Sequence, residues 1–170
     1  MNCLRETFKN RIPLCTIHPL TAFFHSAPSR NILKIGQPLK LTRQFSDSDI
    51  AEYSKLSRDS NPLHFDPECA KLAGFDDRLV PGLLVATLFP RIIAAHFPGA
   101  VYASQTLQFK LPVYLGEEIT GVVGATSIKE MRNKYVAKFS TKCFKNGDTL
   151  VIDGEATAVL PSNTIALEQQ

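Results

Sequence analysis

Between Ser57 and Asp66 the chain reads Ser-Arg-Asp-Ser-Asn-Pro-Leu-His-Phe-Asp, its densest run of polar side chains. Asp59 and His64 stand five residues apart, so they do not share a face of a regular helix. Asn61-Pro62 lies between them, and proline disfavours helical backbone at the residue before it. A chain broken there can turn His64 back toward Asp59. A carboxylate and an imidazole meeting in one small volume form a proton-transfer pair, and such groups contribute roughly 10²–10⁴-fold each to a rate. Imidazole, with an unperturbed pKa of about 6.5, suits both acid and base duty. Taken singly, an Asp is most often a cap, a His a satisfied structural residue and Asn-Pro a turn. It is their conjunction, just ahead of a deep apolar segment, that points to chemistry.

The rest of the inventory narrows the choice. The chain has 170 residues, 44% apolar and 21% charged, which suits one compact domain. Its longest apolar run, Leu79 to Phe89, falls well short of the ~20 residues of a membrane-spanning helix. The formal net charge of +3 comes from the first 36 residues, where Arg5, Lys9, Arg11, Arg30 and Lys34 face Glu6 alone. The remainder is close to neutral, so no nucleic-acid surface is expected. Residues 1–30 are basic, poor in acid and interrupted by Arg11, Pro13, His18 and Pro19, which fits a mitochondrial transit peptide better than a secretory signal.

Without that leader, the body at 31–170 keeps two histidines, His64 and His96, and two cysteines, Cys69 and Cys143. Two cysteines make no disulfide framework, and neither has metal-ligand spacing; no metal or other cofactor is expected. His96, at the end of an apolar helix, reads as a partner of the helix dipole or a surface residue. Cys69 and Cys143 read as small packed side chains. Asp66, Asp76 and Asp77 read as caps and loop residues, and Lys138, Lys142 and Lys145 as a solvated strand face.

Several elements must position the pair. Pro38 to Phe45 reads as a first strand. Ser46-Asp47-Ser48-Asp49 supplies capping oxygens for a helix through Ile50, Tyr53 and Leu56, stopped by Asn61-Pro62. Asp66-Pro67 opens a short helix with Cys69, Ala70, Leu72 and Ala73 as apolar positions and Gly74 at its end. Gly82 to Phe97 is apolar on all sides over its first half and belongs in a core, with Pro90 kinking or dividing it.

From Ala100 the period changes to two, placing Val101, Ala103, Gln105, Leu107, Phe109 and Leu111 on one face. Strands follow over Glu118 to Ile128, Tyr135 to Phe144 and Thr149 to Leu160, with Asn146-Gly147-Asp148 as a hairpin turn between the last two. This is an α+β layout in which an antiparallel sheet wraps around a central buried helix, the hot-dog arrangement. A sheet this small leaves an exposed edge, and pairing with a second copy would continue it, so a homodimer is expected.

The run Tyr53-Ser54-Lys55-Leu56-Ser57, then Asp59, then Asn61-Pro62-Leu63-His64, resembles the signature of the MaoC-like (R)-specific hydratase/dehydratase family. The similarity continues through Gly82-Leu83-Leu84-Val85, Phe97-Pro98-Gly99, Gln105-Thr106-Leu107-Gln108-Phe109 and Pro112-Val113-Tyr114-Leu115-Gly116-Glu117. It covers most of the body and looks closest to the mitochondrial (3R)-hydroxyacyl-acyl-carrier-protein dehydratases. The resemblance implies that Asp59 and His64 are the catalytic pair, that the Gly82 backbone N–H binds the thioester carbonyl, and that Asn61 shapes the loop. It implies a substrate that is a 3-hydroxyacyl or enoyl thioester of acyl carrier protein or CoA. Alternatives that share the fold are an (R)-specific enoyl-CoA hydratase, a thioesterase and a non-catalytic acyl-thioester binding module. Two positions depart from the pattern. Arg58 stands where the signature has Gly, so its backbone is expected to avoid a positive φ. Pro81 stands where the family commonly has His before the Gly, which removes one source of support for His64.

Overall fold

The computed structural model describes residues 31–162 and 165–166; residues 1–30, where the transit peptide is expected, lie outside the described residues. In chain order the elements are β1 (Asn31–Ile32), β2 (Pro38–Gln44), α1 (Asp47–Ser57), a 3₁₀ turn (Pro62–His64) and α2 (Pro67–Leu72). They continue with α3 (Gly82–Ala86), α4 (Leu88–His96), β3 (Val101–Phe109), β4 (Glu118–Met131), β5 (Lys134–Lys145), β6 (Thr149–Pro161) and β7 (Ile165–Ala166). Five strands form one antiparallel sheet in the order β2-β4-β5-β6-β3, and β1 pairs in parallel with β7. The first strand of the long run therefore pairs with the last: β3 runs beside β6, not β4.

The sheet's inner face supplies Ile119, Val123, Phe139, Cys143, Ile152 and Ala158, all buried, and α3 and α4 cover it with Leu84, Val85, Leu88, Phe89, Ile92 and Ile93. A side chain at Gly121 would put its Cβ 3.0 Å from Leu88 Cβ, so the glycine lets α4 sit close on β4. This is the hot-dog layout, with two differences in the helix. Pro90 neither kinks nor ends the helix at its own position. It lacks the N–H that would reach the Ala86 carbonyl, so the break falls one turn earlier, at Thr87, and Pro90 lies in the first turn of α4. The segment is also not enclosed all round: Leu83, Arg91, Ala94 and Ala95 face outward. No helix among the described residues is long and apolar enough to cross a membrane.

The helix α1 starts where its caps put it. Ser46 Oγ accepts from Asp49 N–H at 3.3 Å while Asp49 Oδ2 accepts from Ser46 N–H at 2.9 Å, a reciprocal box that satisfies two otherwise orphaned donors. Its end differs from expectation. The helix stops at Ser57, ahead of Asn61-Pro62, and Arg58 adopts the left-handed conformation, φ 64° and ψ 17°. The expectation of a negative φ at Arg58 is therefore wrong. The local reason is a closed set of bonds: Arg58 N–H donates to Ser54 O at 2.8 Å, and Ser54 Oγ–H donates to the Asp59 carbonyl at 2.5 Å. Together they require the reversal that a left-handed residue supplies.

Other expectations fail through phase. Leu56 lies about 120° around α1 from buried Ile50, at ~100° per residue, and is 87% exposed. In α2 only Ala70 is buried, and Leu72 faces solvent. In β3 the pairing jumps from Tyr102↔Ala158 to Ser104↔Thr157, leaving Ala103 as a bulge. The extra residue reverses the alternation before it. Tyr102 turns in to join Leu107 against the core, on the side where Gln105 bonds buried Thr141, and Val101 turns out.

Candidate active site

The loop after α1 builds the site. Asp59 Oδ1 accepts the Asn61 N–H at 3.1 Å, which anchors one carboxylate oxygen and leaves Oδ2 3.7 Å from His64 Nε2. Asn61 Oδ1 accepts the Leu63 N–H at 3.1 Å and caps the 3₁₀ turn, and Pro62 opens that turn where no N–H is needed. His64 is thereby swung back toward Asp59. Its Nδ1 lies 2.8 Å from the Leu79 carbonyl. A carbonyl only accepts, so Nδ1 carries the proton and the neutral ring presents its lone pair at Nε2. The His64 side chain is 11% exposed and that of Asp59 39%. At 3.7 Å the two are too far apart for a direct hydrogen bond, so each is free to address a common group placed beside them in the cavity.

Both open on a cavity of about 430 Å³ whose walls include Tyr53, Phe75, Val85, Phe109, Val113 and Ile152. Gly82 lines the same cavity at the first position of α3, and its N–H has no hydrogen-bond partner among the described residues. A Cβ at Gly82 would meet Phe109 Cε1 at 2.7 Å, so the phenyl ring occupies the space a side chain would need. Pro81 caps α3 without a side-chain bond. With Pro81 in place of a histidine, His64 takes its support from the Leu79 carbonyl.

The structure thus brings Asp59, His64 and Gly82 to one cavity, with Asn61 behind them in the loop. It leaves other candidates elsewhere. His96 Nδ1 lies 2.8 Å from the Ile92 carbonyl at the end of α4. Burial pushes the Cys143 thiol up to about 12, and the Asp66 carboxylate that accepts the Cys69 S–H raises that thiol too, so neither is poised as a nucleophile. Asp66 caps α2, and Asp76 and Asp77 stay in the following loop. Among the described residues no cluster of three or more His, Cys, Asp or Glu is placed to hold a metal ion. Lys142 lies on the partly exposed strand face, 3.9 Å from Asp153. Lys145 does not share that solvated setting: it is 12% exposed and paired with Glu117, because the loop before β4 folds over it. The Leu79 carbonyl at the site, and the Lys145–Glu117 pair outside it, were not visible in the sequence. A backbone acceptor carries no side-chain signal, and a lysine at a strand end reads as solvated.

The family model for the MaoC like domain matches residues 30–143. The chain belongs to the MaoC-like domain family. This MaoC-like chain is 66% identical over 140 residues to the mitochondrial 3-hydroxyacyl-[acyl-carrier-protein] dehydratase FERN of Solanum lycopersicum, covering 82% of the chain and 85% of that protein. It is 60% identical over 140 residues to the mitochondrial 3-hydroxyacyl-[acyl-carrier-protein] dehydratase of Arabidopsis thaliana, covering 82% and 84%. Among solved structures, the (R)-hydratase from A. caviae involved in PHA biosynthesis superposes with a TM-score of 0.70 at 37% identity, covering 76% of the chain and 98% of that one.

Proposed function

We propose that this MaoC-like protein is a hydro-lyase that removes water from a (3R)-hydroxyacyl thioester to give the trans-2-enoyl thioester. The observation that carries the reading is the His64 Nε2 lone pair, fixed by the bond at Nδ1, facing the Asp59 carboxylate across a gap that opens on an apolar cavity. The thioester makes its α-proton weakly acidic, and a donor aimed at the carbonyl oxygen stabilises the enolate that develops. The Gly82 N–H takes that role, aided by the helix start behind it. His64 Nε2 accepts the α-proton and becomes an imidazolium beside Asp59. As the Cβ–O bond breaks, the leaving hydroxide takes a proton from the Asp59–His64 pair and departs as water. The pair gains one proton and gives one up, so it ends as it began. The same steps in reverse hydrate an enoyl thioester.

The names of the two plant relatives support a substrate carried by acyl carrier protein and a mitochondrial site of action, with residues 1–30 as the transit peptide and residues 31–170 as the working domain. Leu83, Phe109 and Leu111 are each about half exposed at the cavity, and β3 is an edge strand, which supports a homodimer that closes the site.

Incubating purified protein with crotonyl-CoA tests the reaction class. Loss of enoyl absorbance without free thiol is expected; release of thiol would identify a thioesterase, and no change with either thioester carrier would leave a binding module. Comparing carrier-protein and CoA thioesters of equal chain length tests the carrier preference, and light scattering after chromatography tests the dimer, which a species with the mass of one chain would refute. A fusion of residues 1–30 to a fluorescent reporter is expected to enter mitochondria.

A further inference from the structure

Lys145, at the end of β5, donates to both Glu117 carboxylate oxygens, at 3.1 and 3.2 Å, and to the Pro112 carbonyl at 2.9 Å. Its three ammonium hydrogens match those three acceptors. Glu117 Oε2 in turn accepts the Tyr114 N–H at 2.7 Å, and the Lys145 ammonium lies 5.2 Å from the centre of the Tyr114 ring. One nearly buried ion pair therefore ties together both ends of the segment 112–117. Residues 78–80 lie against that segment. Tyr114 bridges Leu79, Val80 N–H donates to Val113 O at 2.8 Å, and Leu115 N–H donates to Arg78 O at 3.4 Å. The Leu79 carbonyl held in this way is the acceptor for His64 Nδ1.

A buried ion pair adds little net stability over well-packed apolar residues, because removing two charges from water offsets most of their attraction. What it does supply here is fixed geometry. We infer that Lys145 and Glu117 are positioning residues: they hold the backbone carbonyl that sets the tautomer and orientation of His64. This rests on the reading of His64 as the proton-transfer group. Without the clamp, the 112–117 segment loses its anchor, Leu79 shifts, and the imidazole is free to carry its proton at Nε2, which removes the base.

The test is NMR of histidine-labelled full-length protein, with the His64 signals assigned by their absence in His64→Gln, alongside turnover of an enoyl thioester. In the wild type the neutral His64 ring is expected as the Nδ1–H tautomer alone. Lys145→Met is expected to show a tautomer mixture and a kcat lowered about 10- to 100-fold with KM little changed, by comparison with the loss that follows removal of a partner orienting a metal-bound imidazole. Lys145→Arg restores the single tautomer and most of the rate, and Lys142→Met, on the same strand, leaves both unchanged. A folded Lys145→Met variant with a single Nδ1–H tautomer and wild-type kcat overturns the inference. If Lys145→Met does not fold, Glu117→Gln decides: it keeps an acceptor for Tyr114 N–H but loses the charge, and an unaltered tautomer and kcat there also overturn it. The tautomer is read without turnover, so a wild type inactive on every thioester would refute the proposed reaction while leaving the clamp decided by the spectra.

Discussion

Arg58→Gly should make the protein more stable, although it deletes the larger side chain. Arg58 sits at φ 64° and ψ 17°, where the Cβ of an L-residue crowds the following carbonyl, and that conformation costs an arginine roughly 1–2 kcal/mol that glycine escapes. No hydrogen bond or ion pair of the Arg58 side chain is present among the described residues, so its removal forfeits no such partner. Against the relief stands the unfolded chain: glycine gives it more freedom, worth about 0.4–1 kcal/mol. The strain term is the larger, leaving a net gain of about 0.5–1 kcal/mol, or a rise in Tm of about 2–4 °C for a domain near this size. Arg58→Ala is the control. It keeps a Cβ and therefore the strain, so its Tm should match the wild type. Scanning calorimetry of the three proteins decides the matter. If Arg58→Ala is stabilised as much as Arg58→Gly, the effect belongs to the arginine side chain, and the left-handed cap before Asp59 is not the source of strain.

Three further outcomes follow from the same geometry. Gly82→Ala puts a Cβ within 2.7 Å of the half-exposed Phe109 ring, which must shift, so the change should be less favourable to stability than the same change in a Phe109→Ala background; equal effects in both backgrounds by denaturant titration would refute the contact. Ser46→Ala should remove about 1 kcal/mol of stability by uncapping α1. The Asp49 carboxyl is held below its ordinary range, first by the Ser46 backbone N–H and then by the Ser46 hydroxyl and Arg43. A lowered folded pKa gives stability that is present above the unfolded value of about 3.9 and is lost as pH falls through the folded one. Asp49→Asn should therefore flatten the acid side of the stability–pH curve, and an unchanged slope below about pH 4 would contradict the cap.

The elements that carry strong local signals were legible in the sequence. The capping box at Ser46 and Asp49, the Asp66-Pro67 helix start and the alternating strands from Glu118 to Leu160 lie where spacing and caps put them, because each is decided by neighbours in the chain. The Asp59–His64 approach was legible for the same reason: Asn61 and Pro62 fix a turn through local bonds. What failed depends on partners distant in sequence. The bulge at Ala103 that swaps Val101 for Tyr102 is set by pairing with β6, some 55 residues on, so strict alternation could not reveal it. The left-handed Arg58 was misjudged because residue type disfavours it, while Ser54 bonds impose it. The break at Thr87 follows from Pro90 acting one turn back, on a carbonyl and not at its own position. The fixing of His64 by Leu79, and of Leu79 by the Lys145–Glu117 clamp, runs through backbone atoms that no side-chain pattern advertises.

Proton transfer by Asp59 and His64 is tested most directly by steady-state hydration of an enoyl thioester by the wild type, His64→Ala and Asp59→Asn, each checked for a native circular dichroism spectrum. The mechanism predicts a loss of at least ~10²-fold in kcat for each variant. A folded His64→Ala protein that turns over at the wild-type rate would contradict it.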